Sequence, residues 1–438
     1  MEIFFGLMVL LLFFMIFLGM DVALSMGSAS LIILVILRGI ENIPYDMISQ
    51  RFLYGINNFT LLAIPFFLFA GQLCNELKVT HKIFNFANSI IGKWRGGLAH
   101  ANVIASIIFA GMSGSAVADA GGLGQIEIEG MTKGGYSTEF SAAVTGASST
   151  IGPIIPPSIP MVIYGALSGA SITRLFIGGI LPGLLMGFGL IITILILVSL
   201  KNTKLKVFSN NEKSNGYESL PFFINLKKAF LPLLTPIILI LGIISGYFTP
   251  TEAAAVAILY VIILGFLFKN ITFTGFIKVL KNTVIDTSII LFIVAASSIY
   301  TWILARYQVT DVLSEILPEI IKNPTLLLFV LVLILLIIGF FLDPTPALFI
   351  LTPIFVPLVQ QYNIDIIHFG IIMILTLMIG LITPPVGTVL YTLQKVTKIP
   401  FEKIVSAIFP FYFPLVIVVV LIVFFPNIVM FLPNLLMG

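Results

Sequence analysis

Ile379–Thr388 reads IGLITPPVGT, two adjacent prolines set between the apolar flanks MILTLM and VLYTLQ. Proline lacks a backbone N–H and clashes with the preceding turn, so a pair of them ends a helix. Both flanks nevertheless read as membrane helix. Inside a bilayer no water satisfies freed backbone groups, so irregular backbone is tolerated there only where it is buried in protein or lines a cavity. This stretch is therefore expected to be the middle of a broken membrane helix facing such a cavity.

Composition supports a membrane setting. The 438 residues are 59% hydrophobic and 9% charged, with mean hydropathy +1.16, against about 25% charged in soluble domains. The apolar runs are too long for barrel strands, and the class is all-α and polytopic. A formal net charge of +3 gives no footprint for nucleic acid. One cysteine, Cys74, excludes an internal disulfide and a cysteine-based metal cluster. His81, His100 and His368 lack metal-ligand spacing. The start, MEIFFGLMVLLLFFMIFLGM, has neither the basic segment nor the small-residue cleavage site of a secretory leader, and is expected to be a first membrane helix.

A span needs about 20 apolar residues. Runs of that kind cover roughly 3–37 (broken near Gly19 to Ser28), 54–75, 138–169, 172–200, 229–247, 251–268, 283–304, 366–394 and 405–432. Regions 99–130 and 325–361 are interrupted by GMSGSA and GFFLDPTP. Each is expected to be a re-entrant hairpin that enters and leaves on one side. Segment 201–228 is the long polar stretch and is expected to be a loop. Its lysines, with Lys269, Lys278 and Lys281, and with Lys78, Lys82, Lys93 and Arg95, mark the cytoplasmic side. With both interrupted regions re-entrant, Lys395, Lys398 and Lys403 also fall inside; a full span at either would break that parity.

The doubled proline recurs. IGPIIPPSIP starts at Ile151, and 379 − 151 = 228. The same offset relates Gly111 to Gly339, Gly152 to Gly380, Pro156 to Pro384, Pro157 to Pro385 and Pro182 to Pro410. Glycine and proline fix backbone shape, which is what a structural repeat keeps. With the charge parity, this predicts an inverted-topology repeat of the secondary-transporter kind. The expected organisation is an N-terminal scaffold helix (1–53), a first repeat (54–200), the cytoplasmic loop (201–228), scaffold helices (229–282) and a second repeat (283–438).

A helix broken at its middle offers N–H groups and positive dipole at one end and free carbonyls at the other. The hairpin tips, Gly111 to Ser115 and Asp343-Pro344-Thr345-Pro346, offer similar chemistry. A proton relay strings Asp, Glu or His through a bundle. Here the proline segments carry no acid, and their carbonyls and hydroxyls suit a hard cation. Sodium, at least two ions, is the expected coupling ion, with a carboxylate anion as substrate and no cofactor. Asp343 has two compatible readings: a site carboxylate, or an N-cap ahead of Pro344. For the proline pairs the bland reading is a packing kink. Asp119 reads as a tip-orienting group or a plain polar contact between helices.

AGMSGSA departs from the G-x-S-x-G nucleophile elbow, since Ser115 stands at the last glycine. GGLG, from Gly121, lacks dinucleotide-loop spacing, and no nucleotide-binding motif is present. An enzyme is not expected; a serine hydrolase built on Ser113 or Ser115 is the competing class, with a channel behind it.

FAGMSGSAVADAGGLG from Phe109, ASSTIGPIIPPSIPMVIYG from Ala147, SGYFTPTEAAAVA from Ser245 and GLITPPVGTVLY from Gly380 resemble the large membrane subunit of tripartite ATP-independent periplasmic (TRAP) transporters. The resemblance covers essentially the whole chain. It implies an elevator-type fold in a bacterial inner membrane, with a moving domain of hairpins and broken helices. The scaffold would include arm helices near 78–95 and 306–322. It also implies sodium-driven import of an organic acid such as sialic acid or a C4-dicarboxylate. A small four-helix membrane subunit and a periplasmic substrate-binding protein would be the partners. One sodium site would use Gly111, Ser113, Gly114, Gly152, Ile155 and Pro156, the other Gly339, Gly380, Thr383 and Val386. Substrate would lie near Ser115, Asp343 and Thr345, beside Pro157 and Pro385. A stand-alone sodium–dicarboxylate symporter is the alternative within transport.

Overall fold

The computed structural model describes residues 2–200, 207–208, 221–308 and 321–437, and among these the chain is helical with one isolated β-bridge, Tyr136 to Phe208. The first half holds α1 (Glu2–Phe17), α2 (Val22–Arg38), α3 (Tyr45–Ile56), α4 (Ala63–Glu76), α5 (Val79–Ile91), α6 (Gly97–Ser113), α7 (Ala116–Gly121), α8 (Leu123–Lys133), α9 (Thr138–Ser149), α10 (Ile159–Ser168) and α11 (Ile172–Ser199). The second holds α12 (Phe222–Ile244), α13 (Pro250–Leu267), α14 (Phe273–Arg306), α15 (Pro324–Gly339), α16 (Pro344–Gln361), α17 (Ile366–Gly380), α18 (Thr388–Thr397), α19 (Phe401–Phe424) and α20 (Asn427–Met437).

Among the described residues, six helical stretches are long and apolar enough to cross a membrane: Phe59–Glu76, α11, α12, α13, α14 and α19. The hairpin limbs and broken-helix halves are shorter. At about 1.5 Å per residue, the 10 residues of α10 reach about half of a 30 Å hydrocarbon layer. Large apolar side chains such as Phe188, Phe409 and Phe413 point outward, as a lipid-facing surface requires.

The offset of 228 holds in helix boundaries well beyond the proline segments. Adding 228 to the starts of α2, α3 and α9 gives 250, 273 and 366, the starts of α13, α14 and α17. Added to the end of α8, it gives 361, the end of α16. Caps follow the same register: Ser115 and Asp343 precede α7 and α16, and Ser137 and Asp365 precede α9 and α17. So do the positive-φ residues Gly135 and Asn363, both types that tolerate the left-handed region. The copies pack reciprocally. Helix α9 lies on α19 as α17 lies on α11, and α10 meets α16 as α18 meets α7.

Several boundaries differ from the sequence expectation. The first run breaks at 18–21 rather than over Gly19 to Ser28, and Gly19 takes φ +85° there. Residues 57–58 interrupt the run expected over 54–75, because Asn58 turns its side chain onto the Thr60 N–H at 2.9 Å, a bond that competes with helix. The corresponding stretch of α14 stays continuous. The polar loop ends earlier than 228, since α12 already begins at Phe222. Run 405–432 is two helices, α19 and α20, divided at 425–426. The return limb of the first hairpin is divided at Gly122. The arm helix expected over 306–322 lies mostly outside the described residues, and so does most of 201–221. The motif TPTE at Thr249 is a capping box: Glu252 N–H donates to Thr249 Oγ1 at 3.3 Å, and Glu252 Oε2 accepts from Thr249 N–H at 2.8 Å.

The hairpin α15–α16 seats on α17 through two glycines. A Cβ on Gly380 would stand 2.5 Å from the Gly339 carbonyl oxygen. Gly380→Ala is expected to cost about 1–3 kcal/mol by overpacking. Gly27→Ala, where a Cβ meets nothing within 4 Å, is expected to be neutral or slightly stabilising. Thermal unfolding of the purified protein in detergent measures both, and equal melting temperatures would refute the contact.

Candidate functional site

The first tip forms because α6 ends on Gly114 at φ +62°, a conformation that favours glycine. A Cβ there would also stand 2.6 Å from the Pro157 carbonyl oxygen. Ser115 then caps α7, accepting from the Ala118 N–H at 3.4 Å. Ser113, buried, donates to Asp119 Oδ1. The other carboxyl oxygen, Asp119 Oδ2, is buried without a hydrogen-bond partner and faces Gly152, where any side chain would collide with it. Helix α9 stops at Ser149 and α10 starts at Ile159; the Pro156–Pro157 peptide between them is cis. Among the described hydrogen bonds, none is accepted by the carbonyls of Gly152, Ile155, Pro156 or Pro157. A buried carboxylate with an unused oxygen, beside unused carbonyls, is an oxygen-lined cradle for a hard monovalent cation.

The second cradle has the same backbone and less side-chain chemistry. Helix α17 ends at Gly380 against Gly339, the Pro384–Pro385 peptide is cis, and Gly387 at φ +56° starts α18. The Val386 N–H donates to the Phe340 carbonyl at 3.2 Å, tying the proline segment to the tip. Thr383 spends its hydroxyl on the Ile379 carbonyl at 2.7 Å. The carbonyls of Gly339, Thr383 and Pro385 accept none of the described bonds.

Both tips open onto one cavity of about 620 Å³. Ser115, Asp343 and Thr345 line it as expected, with Ser113 and Gly114. Pro157 and Pro385 do not; Pro153 lines it instead. Gly111 packs on Pro236 of α12, and Ile155 packs on Gly183 of α11. Asp343 occupies the N-cap position ahead of Pro344, yet its side chain makes no cap bond. It accepts from the Thr388 hydroxyl at 2.8 Å. Of its two sequence readings, the backbone position fits the cap and the side chain faces the cavity. The opposite wall comes from α4 and α14. There Gln72 Nε2 donates to Asp286 Oδ2 at 2.7 Å, and Asn75 and Asp21 complete the polar lining. Among the described residues that line the cavity there is no histidine beside Ser113 and Ser115. The remaining candidates are packed: Cys74 is fully buried, and His368 Nε2 meets the Ile422 carbonyl at 2.7 Å.

Sequence reasoning undervalued Asp119 and missed Asp286. The available signal was the ionisable residue inside an apolar run, which is a functional flag in membranes. Neither motif spacing nor the repeat marks Asp286. The first repeat also buries Glu127 beside a hydroxyl chain in which Ser106 donates to Ser148 at 3.0 Å and Ser148 to Asn102 Oδ1 at 2.7 Å.

Residues 9–428 match the family model described as the tripartite ATP-independent periplasmic transporter, DctM component. The sialic acid TRAP transporter large permease protein SiaM of Vibrio cholerae is 42% identical, over 97% of each chain. The C4-dicarboxylate TRAP transporter large permease protein DctM of Pseudomonas aeruginosa is 37% identical, over 86% of this chain and 87% of that one. The sialic acid TRAP transporter permease protein SiaT of Haemophilus influenzae is 36% identical, over 96% of this chain and 67% of that longer one. Among solved structures, the crystal structure of the Alcanivorax borkumensis YdaH transporter superposes with TM-score 0.61 at 13% identity, covering 87% of this chain and 88% of that one, which is a likeness of fold.

Gly152→Ala is expected to push the Asp119 carboxylate off Ser113. Loss of one charge-assisted hydrogen bond is worth about 1.5–3 kcal/mol, so uptake of the protein's substrate should fall at least about tenfold. Ser113→Ala removes the donor without adding bulk and should cost less. Initial uptake rates in cells expressing each variant at matched levels decide it; an unimpaired Gly152→Ala would dissolve the cradle.

Proposed function

The chain belongs to the DctM family of large TRAP permease subunits, multi-pass proteins of the bacterial inner membrane, and from that membership we propose that it imports an organic acid by sodium-coupled elevator transport. Its work is binding and displacement, not chemistry on the substrate. The observation that carries the reading is the meeting of two repeat-related tips, each backed by a cis-proline break with unused carbonyls, in one cavity.

Sodium is cargo in this reading. The first ion sits among Ser113, Asp119 and the carbonyls of Gly152, Ile155 and Pro156, with Gly111 and Gly114 shaping the tip. The second sits against Gly339, Gly380, Thr383 and Val386, through carbonyls. Charge decides between sodium and no ion. Among the described residues, the cavity wall carries Asp21, Asp286 and Asp343 and no Lys, Arg or His, so a carboxylate substrate entering alone would meet like charge. Cations held at the two tips offset that repulsion and make anion binding conditional on ion binding. The substrate class, sialic acid or a C4-dicarboxylate, comes from the named relatives; SiaM of Vibrio cholerae favours sialic acid. The substrate would rest between Ser115, Asp343 and Thr345, with Pro157 and Pro385 holding the backbone behind it.

The moving body would be the two hairpins and the two broken helices, which interlock reciprocally. Small side chains ease the slide: Gly71 of α4 faces Ser113 Cα, where a Cβ would come within 3.0 Å, and Asn75 of α4 faces Gly122. Partners would be a small membrane subunit packed on the scaffold and a periplasmic binding protein that delivers substrate.

The test is uptake of labelled sialic acid and of succinate into proteoliposomes containing this chain and its small subunit. The expectation is uptake that needs both an inward sodium gradient and the cognate binding protein. Asp119→Asn is expected to raise the sodium concentration for half-maximal uptake about tenfold or more, as loss of a charge-assisted contact of about 1.5–3 kcal/mol implies. Uptake driven equally well by a proton gradient without sodium would end the sodium assignment. Uptake without the binding protein would favour the stand-alone symporter.

A further inference from the structure

Beyond the substrate cavity lies a second one, and it sets lysines beside its carboxylates. A vestibule of about 490 Å³ adjoins the first cavity, and Gln72, Asn75 and Gly121 line both. Its basic residues are Lys78, Lys278 and His81. Lys78 and Lys278 belong to the clusters that mark the cytoplasmic side, so the vestibule is the inward mouth of the substrate cavity.

The two lysines are the vestibule's positive charge at neutral pH. Burial, with Lys78 beside it, lowers the proton affinity of His81 below the ordinary value. Two carboxylates also line the vestibule. Glu129 is committed to Lys133 at 2.6 Å, and Glu76 reaches Lys278 at 4.0 Å, the long limit of an ion pair. Lys78 has no carboxylate partner among the described residues. Its backbone is fixed in a left-handed conformation, φ +56°. The Lys78 N–H donates to the Asn75 carbonyl at 3.0 Å, and Asn270 Nδ2 donates to the neighbouring Leu77 carbonyl at 3.0 Å. A cation held at a pinned turn, unpaired, at the mouth of an acidic cavity faces whatever leaves that cavity.

We propose that this vestibule is a transit site for a carboxylate anion, with Lys78 as its first contact and Lys278 leaving Glu76 to become the second. The proposal rests on the import of an organic acid argued above. While cations sit at the tips, the acidic cavity tolerates the anion. When they leave toward the cytoplasm, Asp21, Asp286 and Asp343 repel it, and Lys78 in the adjoining vestibule offers an opposite charge without a carboxylate partner among the described residues. Ion release and substrate release are thereby ordered: the field between the two cavities points the anion inward only after the ions have gone. An interaction of this kind across solvent-accessible space is screened by salt.

The test uses the full chain with its small subunit and needs no transport. The single native cysteine, Cys74, is buried, so a cysteine placed at Gln125 on the vestibule wall reports the local field. An anionic thiosulfonate is expected to modify Gln125→Cys about tenfold faster, relative to a cationic one, than it does in the added background of Lys78→Gln and Lys278→Gln. The advantage should shrink in high salt, and millimolar sialic acid or succinate should slow the anionic reagent. Lys403→Gln, whose lysine pairs with Glu139 elsewhere, should leave the ratio alone. An equal ratio with and without the two lysines overturns the proposal. In proteoliposomes the double lysine variant is expected to slow substrate release about tenfold with an unchanged half-saturating sodium concentration, and unchanged release would equally overturn it. Absence of sodium-dependent uptake by the unaltered chain would instead defeat the sodium reading and leave the reagent ratio standing.

Discussion

A backbone carbonyl in a bilayer must find a partner or a cavity, and this requirement governs the molecule. The two proline segments free a set of carbonyls at positions where both flanking helices are apolar. Lipid cannot solvate them. The fold answers by bringing a hairpin tip to each break: Gly114 against the Pro157 carbonyl, and Gly339 against Gly380 with Val386 bonded to Phe340. Glycine is needed at those contacts because any side chain would separate tip from break. The re-entrant hairpins are thus the partners that make broken membrane helices tolerable, and a hydrated cavity between the tips is the geometric consequence.

The repeats share this device and differ in what they hang on it. At the offset of 228, Asp119, Glu127, Ser106 and Asn102 correspond to Ala347, Phe355, Ile334 and Val330. The first copy buries polar and acidic side chains where the second carries hydrocarbon, buried at Ala347 and Phe355 and outward-facing at Ile334. Backbone register is preserved to the residue in several helix starts, whereas the side chains have diverged almost completely. The conserved part is therefore what the bilayer constrains, and the free part is where an ion's ligands can be varied. A carboxylate in one cradle and carbonyls in the other suit two ions of one kind held with unequal affinity.

What was legible in the sequence follows the same division. Gly152, Pro156, Pro157 and their partners at 380, 384 and 385 speak about backbone and made the breaks readable; the interruptions GMSGSA and GFFLDPTP gave the hairpins, and the common offset with the charge parity gave the repeat. Side-chain chemistry across the cavity was not, because Asp286 and Gln72 meet over a separation of 214 residues and no local pattern encodes that pairing. The break at Asn57 and Asn58 was missed for a related reason. Hydropathy averages over a window, and two asparagines in an apolar run lower it little, yet the Asn58 side chain takes the Thr60 N–H and so competes directly with helix. Asp119 was visible but weighed as a local contact. Its importance comes from Gly152, 33 positions along (152 − 119), which leaves the space its free oxygen faces.

Charge placement then links the fold to direction. The substrate cavity is acidic on both walls, since Asp343 comes from the second tip, Asp286 from α14 and Asp21 from the turn before α2. An acidic cavity is a poor receptor for an anion unless cations share it, so the proposed dependence on co-bound ions would follow from the walls and need no separate gate. Lys78 and Lys278 line the adjoining vestibule instead, beside Glu76 and Glu129. Had the lysines lined the cavity itself, the anion would bind without ions and leave slowly. In the proposed cycle, placing the lysines beyond the cavity would make the same carboxylates a condition for entry and a driving force for exit.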